Sequence, residues 1–192
     1  MDVSSHRLLL SALAVTLLLA AGSARSEAAD ACFAAVQAES ADAERLCSDR
    51  LAGLRYDGAT STTQQQALAS TLNNRAMARM AMGDLDGAAT DFQEALSLRP
   101  DAWAIHLNHG NFLLTRKDPG AALEAYGRVA ELAPAGSEAV RAARTNSVLA
   151  WRALGNTAAA QQALMQAGSA AGTGPRLSSE NPAPAVPAPQ RP

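Results

Sequence analysis

The chain has 192 residues, of which 48% are hydrophobic, 18% charged and only 4% aromatic; this fits one compact domain with tails and requires a core built from Ala and Leu. A formal net charge of -2, with no run of Lys and Arg, argues against broad electrostatic attraction to nucleic acid or to an anionic membrane surface.

At the N-terminus, His6 and Arg7 precede an apolar run of 14 residues, Leu8 to Ala21, followed by the small residues Gly22, Ser23 and Ala24. These are the parts of a secretory signal peptide, so residues 1–24 are expected to be cleaved off after Ala24. The run falls short of the ~20 residues a transmembrane helix needs, although an uncleaved anchor is the alternative reading. Cys32 lies too far along to carry the lipid of an anchored form. The expected address is periplasmic or secreted, with no membrane insertion after cleavage; the Ala-rich, Lys-poor composition points to a bacterium and hence to the periplasm.

Residues 25–58 read as a helical hairpin, with helices over 29–38 and 41–54 and a turn at Glu39 and Ser40. Cys32 and Cys47 are the two cysteines of the chain and lie at equal distances from that fold-back point. In an exported chain a disulfide is the default expectation. Closing a loop of this length stabilises by ~3 kcal/mol in the chain-entropy model. The spacing is not Cys-x-x-Cys, so a structural staple is preferred to a redox-active pair; free thiols are the remaining alternative. The hairpin then serves as a first layer covering one end of the region 59–169, from which a polar linker around Asp57 and Gly58 separates it.

That region is organised by an internal period. Asn74, Gly83, Ala88, Phe92, Ala95 and Pro100 return 34 residues later as Asn108, Lys117, Ala122, Tyr126, Val129 and Pro134. A helix is expected over 65–82, ended by Gly83. Asp84 is placed to cap a second helix, which Pro100 stops after Leu98. Leu85, Ala88, Phe92 and Ala95 recur at spacings of three and four, one apolar stripe. The second copy repeats the device with Asp118 as cap and Pro119 at the first helical position. A unit of this kind buries its apolar face only against a neighbouring copy.

On these residues the chain resembles the tetratricopeptide repeat (TPR) family: the 34-residue period, the small Ala76 and Gly110 at the helix approach, the Gly83-Asp84 turn, Ala88 and Ala122, the aromatics Phe92 and Tyr126, and the closing prolines. A third unit comes after a four-residue insertion, with Trp151, Gly155-Asn156, Ala160, Leu164 and Ala167. It departs from the pattern in carrying Val148 at the small position and no closing proline. Units are expected near 69–102, 103–136 and 141–168. The resemblance implies an all-α, right-handed superhelical solenoid of about three helix-turn-helix repeats, preceded by the hairpin, with first helices lining a concave groove.

The residue nine places before each turn is Asn74, Asn108 or Asn146. In several family members such an asparagine bonds the backbone of an extended peptide, since one amide offers both a donor and an acceptor. The alternative is that these amides bond neighbouring groups of the chain or solvent. The repeat alignment adds Asn73, Met77, Met80, Leu107, Asn111, Thr145 and Leu149 to the groove, with Ser70, Leu114, Ala142 and Arg152 beside them. The lining is neutral. Family members that clamp a terminal carboxylate place cations where this chain has Asn73, Met77, Ala142 and Asn146, so an extended segment with apolar side chains fits better.

His106 and His109, three apart on a helix, form the nearest approach to a metal pair, but no third ligand is evident, and partly buried core histidines are the preferred reading. Trp103, Trp151, Phe92 and Tyr126 read as core. No nucleophile triad or glycine-rich phosphate loop appears, so neither an enzyme, a metal nor a cofactor is expected. From Gly168 the chain turns to Gly, Ser, Ala and Pro, with six prolines between Pro175 and Pro192. Residues 170–192 are expected to be a disordered spacer. No polar capping helix comes after the third unit, which leaves Leu164 and Met165 to meet a partner, the tail or a second copy. The leading functional expectation is an exported scaffold binding an extended segment of another protein. Next come a self-associating structural or envelope-assembly protein, and then a small metal-binding or redox protein.

Overall fold

The structure is a computed structural model and describes residues 31–56 and 61–169. The expected signal peptide, the ends of the hairpin region and the proline-rich tail lie outside the described residues. Among those described there is no strand: helix α1 covers 31–37, and seven more helices follow among the described residues. They are α2 (Ala43–Tyr56), α3 (Thr62–Ala81), α4 (Leu85–Leu98), α5 (Trp103–Thr115), α6 (Pro119–Leu132), α7 (Glu138–Ala153) and α8 (Thr157–Ser169). Helix α3 packs on α4, α5 on α6 and α7 on α8, while α2 packs on α3 and α6 on α7. The result is an all-α solenoid of three helix pairs behind an N-terminal hairpin.

Local chemistry sets the boundaries. Helix α3 begins three residues before the expected Gln65, because Ser61 caps it: the Ser61 hydroxyl accepts from Gln64 N–H and the Gln64 side chain reaches back to Ser61 N–H. That capping box satisfies two of the N–H groups a helix start leaves orphaned. Asp84 and Asp118 cap α4 and α6 by accepting from Gly87 N–H and Ala121 N–H. Asn156 does the same for α8 through Ala159 N–H.

The turns between paired helices share one conformation. Gly83, Lys117 and Gly155 have φ of 82°, 62° and 73°, the left-handed region that a side chain disfavours. Lys117 thus stands at a glycine position. Lys117→Gly is expected to raise stability by about 1 kcal/mol, read as a rise in melting temperature of a few degrees. An unchanged or lower melting temperature would show that the lysine makes compensating contacts.

The core runs along the solenoid. Leu51, Leu54, Leu72, Ala76, Phe92 and Phe112 join α2 to α5 in one cluster, and Leu107, Ala122, Tyr126, Val129 and Val140 continue it from α5 to α7. The insertion before the third pair is absorbed largely by α7, which has 16 residues where α5 has 13. Val148 is accommodated in a small cluster with Ala160, Ala163 and Trp151. At the matching Gly110, by contrast, a Cβ would stand 2.5 Å from the Tyr126 ring, so close approach of α5 to α6 requires the glycine.

Cys32 and Cys47 are joined in a disulfide with their Cα atoms 4.8 Å apart. It ties α1 to α2 across the turn containing Glu39. No described helix is long and apolar enough to cross a membrane.

Candidate functional site

The first helices of the three pairs, α3, α5 and α7, lie side by side, and they carry all the residues expected to line the groove. Their amides meet. Asn108 Nδ2 donates to Asn73 Oδ1 at 3.1 Å, and Asn146 Nδ2 donates to Asn111 Oδ1 at 2.7 Å. Asn108 and Asn146 therefore each bond an asparagine of the preceding repeat. Asn73 also donates to Asn74 at 3.4 Å, and the Tyr126 hydroxyl donates to Asn111 Oδ1 at 2.8 Å. Burial holds that hydroxyl's pKa well above the usual phenol range.

Asn73, Asn74, Asn108 and Asn111 are each less than 10% exposed, and Asn146 is half-buried. Buried amides of this kind are stable because they satisfy one another. Asn108 Oδ1 is the exception, a buried acceptor with no partner among the described residues. Of the other expected groove residues, Met77 and Leu107 are buried, Met80 and Leu114 are half-buried, and Ser70, Thr145 and Leu149 are exposed. Apart from the exposed Arg152, accessible surface on this face is aliphatic and hydroxylic, with the amides behind it.

The two histidines have separate surroundings. His106 Nε2 lies 2.9 Å from the Pro100 carbonyl oxygen. His109 is stacked on Phe112 and tilted against Phe92, with centroids 6.0 Å and 5.5 Å away. Burial, aided by neighbouring His106, pushes the His109 pKa down. Among the described residues no group of three or more His, Cys, Asp and Glu side chains is placed to hold a metal ion.

A charged cluster that sequence reasoning passed over lies between α2, α3 and α4. Asp91, 1% exposed, accepts from Arg75 Nε at 2.9 Å, Arg75 Nη2 at 2.7 Å and Arg79 Nη1 at 2.9 Å. Arg79 Nη2 continues to Glu44 at 3.2 Å, and Arg75 Nη1 donates to Ser48 at 3.1 Å. The hydrogen bond to Asp91 holds the Arg75 pKa above its usual value. The signal was present in the sequence, since Asp91 interrupts the stripe of Ala88, Phe92 and Ala95. This cluster fastens the hairpin to the first repeat.

The tetratricopeptide repeat family model matches residues 73–137, the stretch that contains the two regular copies. A solved structure titled "Crystal structure of MamA" is similar, with 19% identity, a TM-score of 0.50, and coverage of 65% of this chain and 68% of that one. At that identity the likeness bears on the fold. No curated protein matches the chain.

Proposed function

Because this chain is a tetratricopeptide repeat protein, a family whose members bind other proteins, we propose that it is an exported, periplasmic or secreted interaction scaffold without enzymatic activity. Its ligand is an extended segment of another protein, held along the face made by α3, α5 and α7. The observation that carries this reading is the file of amides from Asn73 to Asn146, with the unpartnered Asn108 Oδ1 at its centre. An unsatisfied buried acceptor costs about 1–3 kcal/mol, and a small shift that lets a peptide N–H reach it recovers that cost on binding. The other amides set the spacing of the layers. Met80, Leu114, Leu149 and Thr145 supply the accessible contacts, and none of them carries a charge.

The N-terminal sequence supports export, and the Cys32–Cys47 disulfide is compatible with an oxidising compartment. Removal of residues 1–24 as a signal peptide is read as a mature protein whose N-terminal residue is Arg25. Binding is tested by capturing partners from periplasmic extract on that mature protein and on a Thr145→Glu, Leu149→Glu variant. Both side chains are accessible, so the variant should fold, as far-UV circular dichroism would verify. The expected outcome is a partner held by wild type and lost at least tenfold from the variant. Equal capture by both would move the binding site away from this face.

A further inference from the structure

The second helix pair drops a charge pair that the first one keeps. In the first pair Arg75 of α3 donates to Asp91 of α4 through Nε and Nη2, and Arg79 joins them. The places 34 residues further on hold His109, Ala125 and Leu113. A basic residue is kept there as an imidazole, and its carboxylate is gone. His109 is half-buried where the two pairs meet. Its ring lies 5.5 Å from that of Phe92 on α4 and 6.0 Å from that of Phe112 on its own helix. Phe92 and Phe112 are 5.3 Å apart, so the three rings form an aromatic joint between α4 and α5. Of the three, only the imidazole can take up a proton, and it does so between about pH 5 and 8.

The carboxylates on the helices packed against α5 are engaged or solvated. On α4, Asp86 is paired with Arg116, Asp91 with Arg75 and Arg79, and Glu94 with Arg55, while Asp84 caps the helix. On α6, Asp118 is likewise a cap, Glu131 is paired with Arg128, Glu124 is exposed and the Tyr126 hydroxyl is held by Asn111. Glu138 of α7 is paired with Arg141, and the other charges of α7 are the cations Arg144 and Arg152. Helix α3 carries only Arg75 and Arg79, and Asp101, just before α5, is paired with Arg99. On α5 itself stand His106 and, at its C-cap, Arg116. Arg116 already lies over the Phe112 ring, 5.8 Å from the centroid, so a cation on His109 would share that ring with a like charge. A half-buried cation with no counter-charge is costly. Burial, with His106 beside it, accordingly holds the His109 pKa below its usual value.

We propose that the joint between the first and second helix pairs is acid-sensitive, a proton on His109 loosening α5 from α4 and parting Asn108 from Asn73. Each layer of a solenoid is held by its neighbours, so charging this joint separates the hairpin and first pair from the second and third. Asn108, next to His109 in the chain, crosses the same joint to Asn73 at 3.1 Å, and the file of amides breaks there. The direction of the effect is set by linkage. In the unfolded chain the imidazole titrates near 6.5, and in the folded chain it titrates lower. Stability that depends on neutral His109 is therefore complete above about pH 6.5 and is lost as the pH falls toward the folded value. Each pH unit in that window lowers the folded-to-unfolded ratio by up to about tenfold.

Urea unfolding of the full chain at about pH 7.5 and about pH 5 tests it, beside His109→Gln and His106→Gln variants. The wild-type midpoint should fall on acidification, His106→Gln should fall nearly as far, and His109→Gln should hold its midpoint more closely. Because glutamine also removes a ring from the joint, two measurements use wild type alone. In a proton NMR titration the His109 ring should titrate below the usual imidazole value. Amide protection, referred to free-peptide exchange at each pH, should drop about threefold or more in α4 and α5 at about pH 5 while α8 keeps its own. An equal fall for His109→Gln, a His109 ring that titrates at or above the usual value, or protection lost evenly from all helices would each overturn the proposal.

Discussion

Replacing Asp91 by alanine is expected to lower the unfolding free energy by about 3–5 kcal/mol, the cost of removing one partner from a buried ion pair. The Asp91 side chain is 1% exposed and that of Arg75 13%, so the guanidinium left behind regains little water. Arg79, 20% exposed, would keep Glu44 and the partly exposed Asp84 as its charged partners, with the Gly87 carbonyl beside them. The contrast is with Arg116 and Asp86, which meet at 3.2 Å with Asp86 98% exposed. Exposed pairs of that sort contribute about 0–1 kcal/mol, so Asp86→Ala should leave stability nearly unchanged. Asp91→Asn keeps the shape and one acceptor while removing the charge, and should fall between the two. Urea unfolding at constant m resolves the series. Because Arg75 and Arg79 also hold Ser48 and Glu44 of α2, amide exchange in α2 should accelerate in Asp91→Ala before the rest of the solenoid opens. Equal urea midpoints for Asp91→Ala and Asp86→Ala would mean that the cluster does not clamp the hairpin.

The difference between those two aspartates also marks what was legible in the sequence. Repeat period, caps and turns are local, and Asp84, Asp118, Pro119, Gly83 and Gly155 could be assigned from neighbours within a few positions. The solenoid arises from them, because a 34-residue unit has few ways to pack on its copy. The helix start at Ser61 was missed because its capping partner Gln64 sits in a run of polar residues that reads as linker. Long-range polar pairing was less legible. Arg75 and Arg79 lie 16 and 12 residues from Asp91, and only antiparallel packing of α3 on α4 converts three apparently solvated charges into one buried cluster. The asparagines show the same limit. Their alignment on successive first helices was readable, but their mutual bonds join residues 35 apart, whereas equivalent positions lie 34 apart between the first two units and 38 apart between the second and third. Stacking offsets decide which amide meets which, and a sequence period does not contain them. Leu164 is 53% exposed because no described helix packs beyond α8.

Phe92→Ala is expected to cost about 3–5 kcal/mol, the range for truncating a fully buried aromatic ring. The ring is 0% exposed and lies 5.3 Å from the Phe112 ring and 5.5 Å from that of His109, so the cavity opens between the first and second helix pairs. In a solenoid the stability of each unit depends on its interface with the next. Loss of Phe92 should therefore uncouple the pairs, broadening the urea transition and lowering its apparent m as well as its midpoint. Leu164 occupies the same place in the third pair but is 53% exposed. Leu164→Ala in dilute protein should cost under about 1 kcal/mol, near the usual value for surface positions. That comparison separates the chemistry of the repeat from its position in the stack, since the two residues differ chiefly in whether another helix covers them. A cost for Leu164→Ala approaching that of Phe92→Ala at low micromolar concentration would mean that Leu164 is already covered within the monomer.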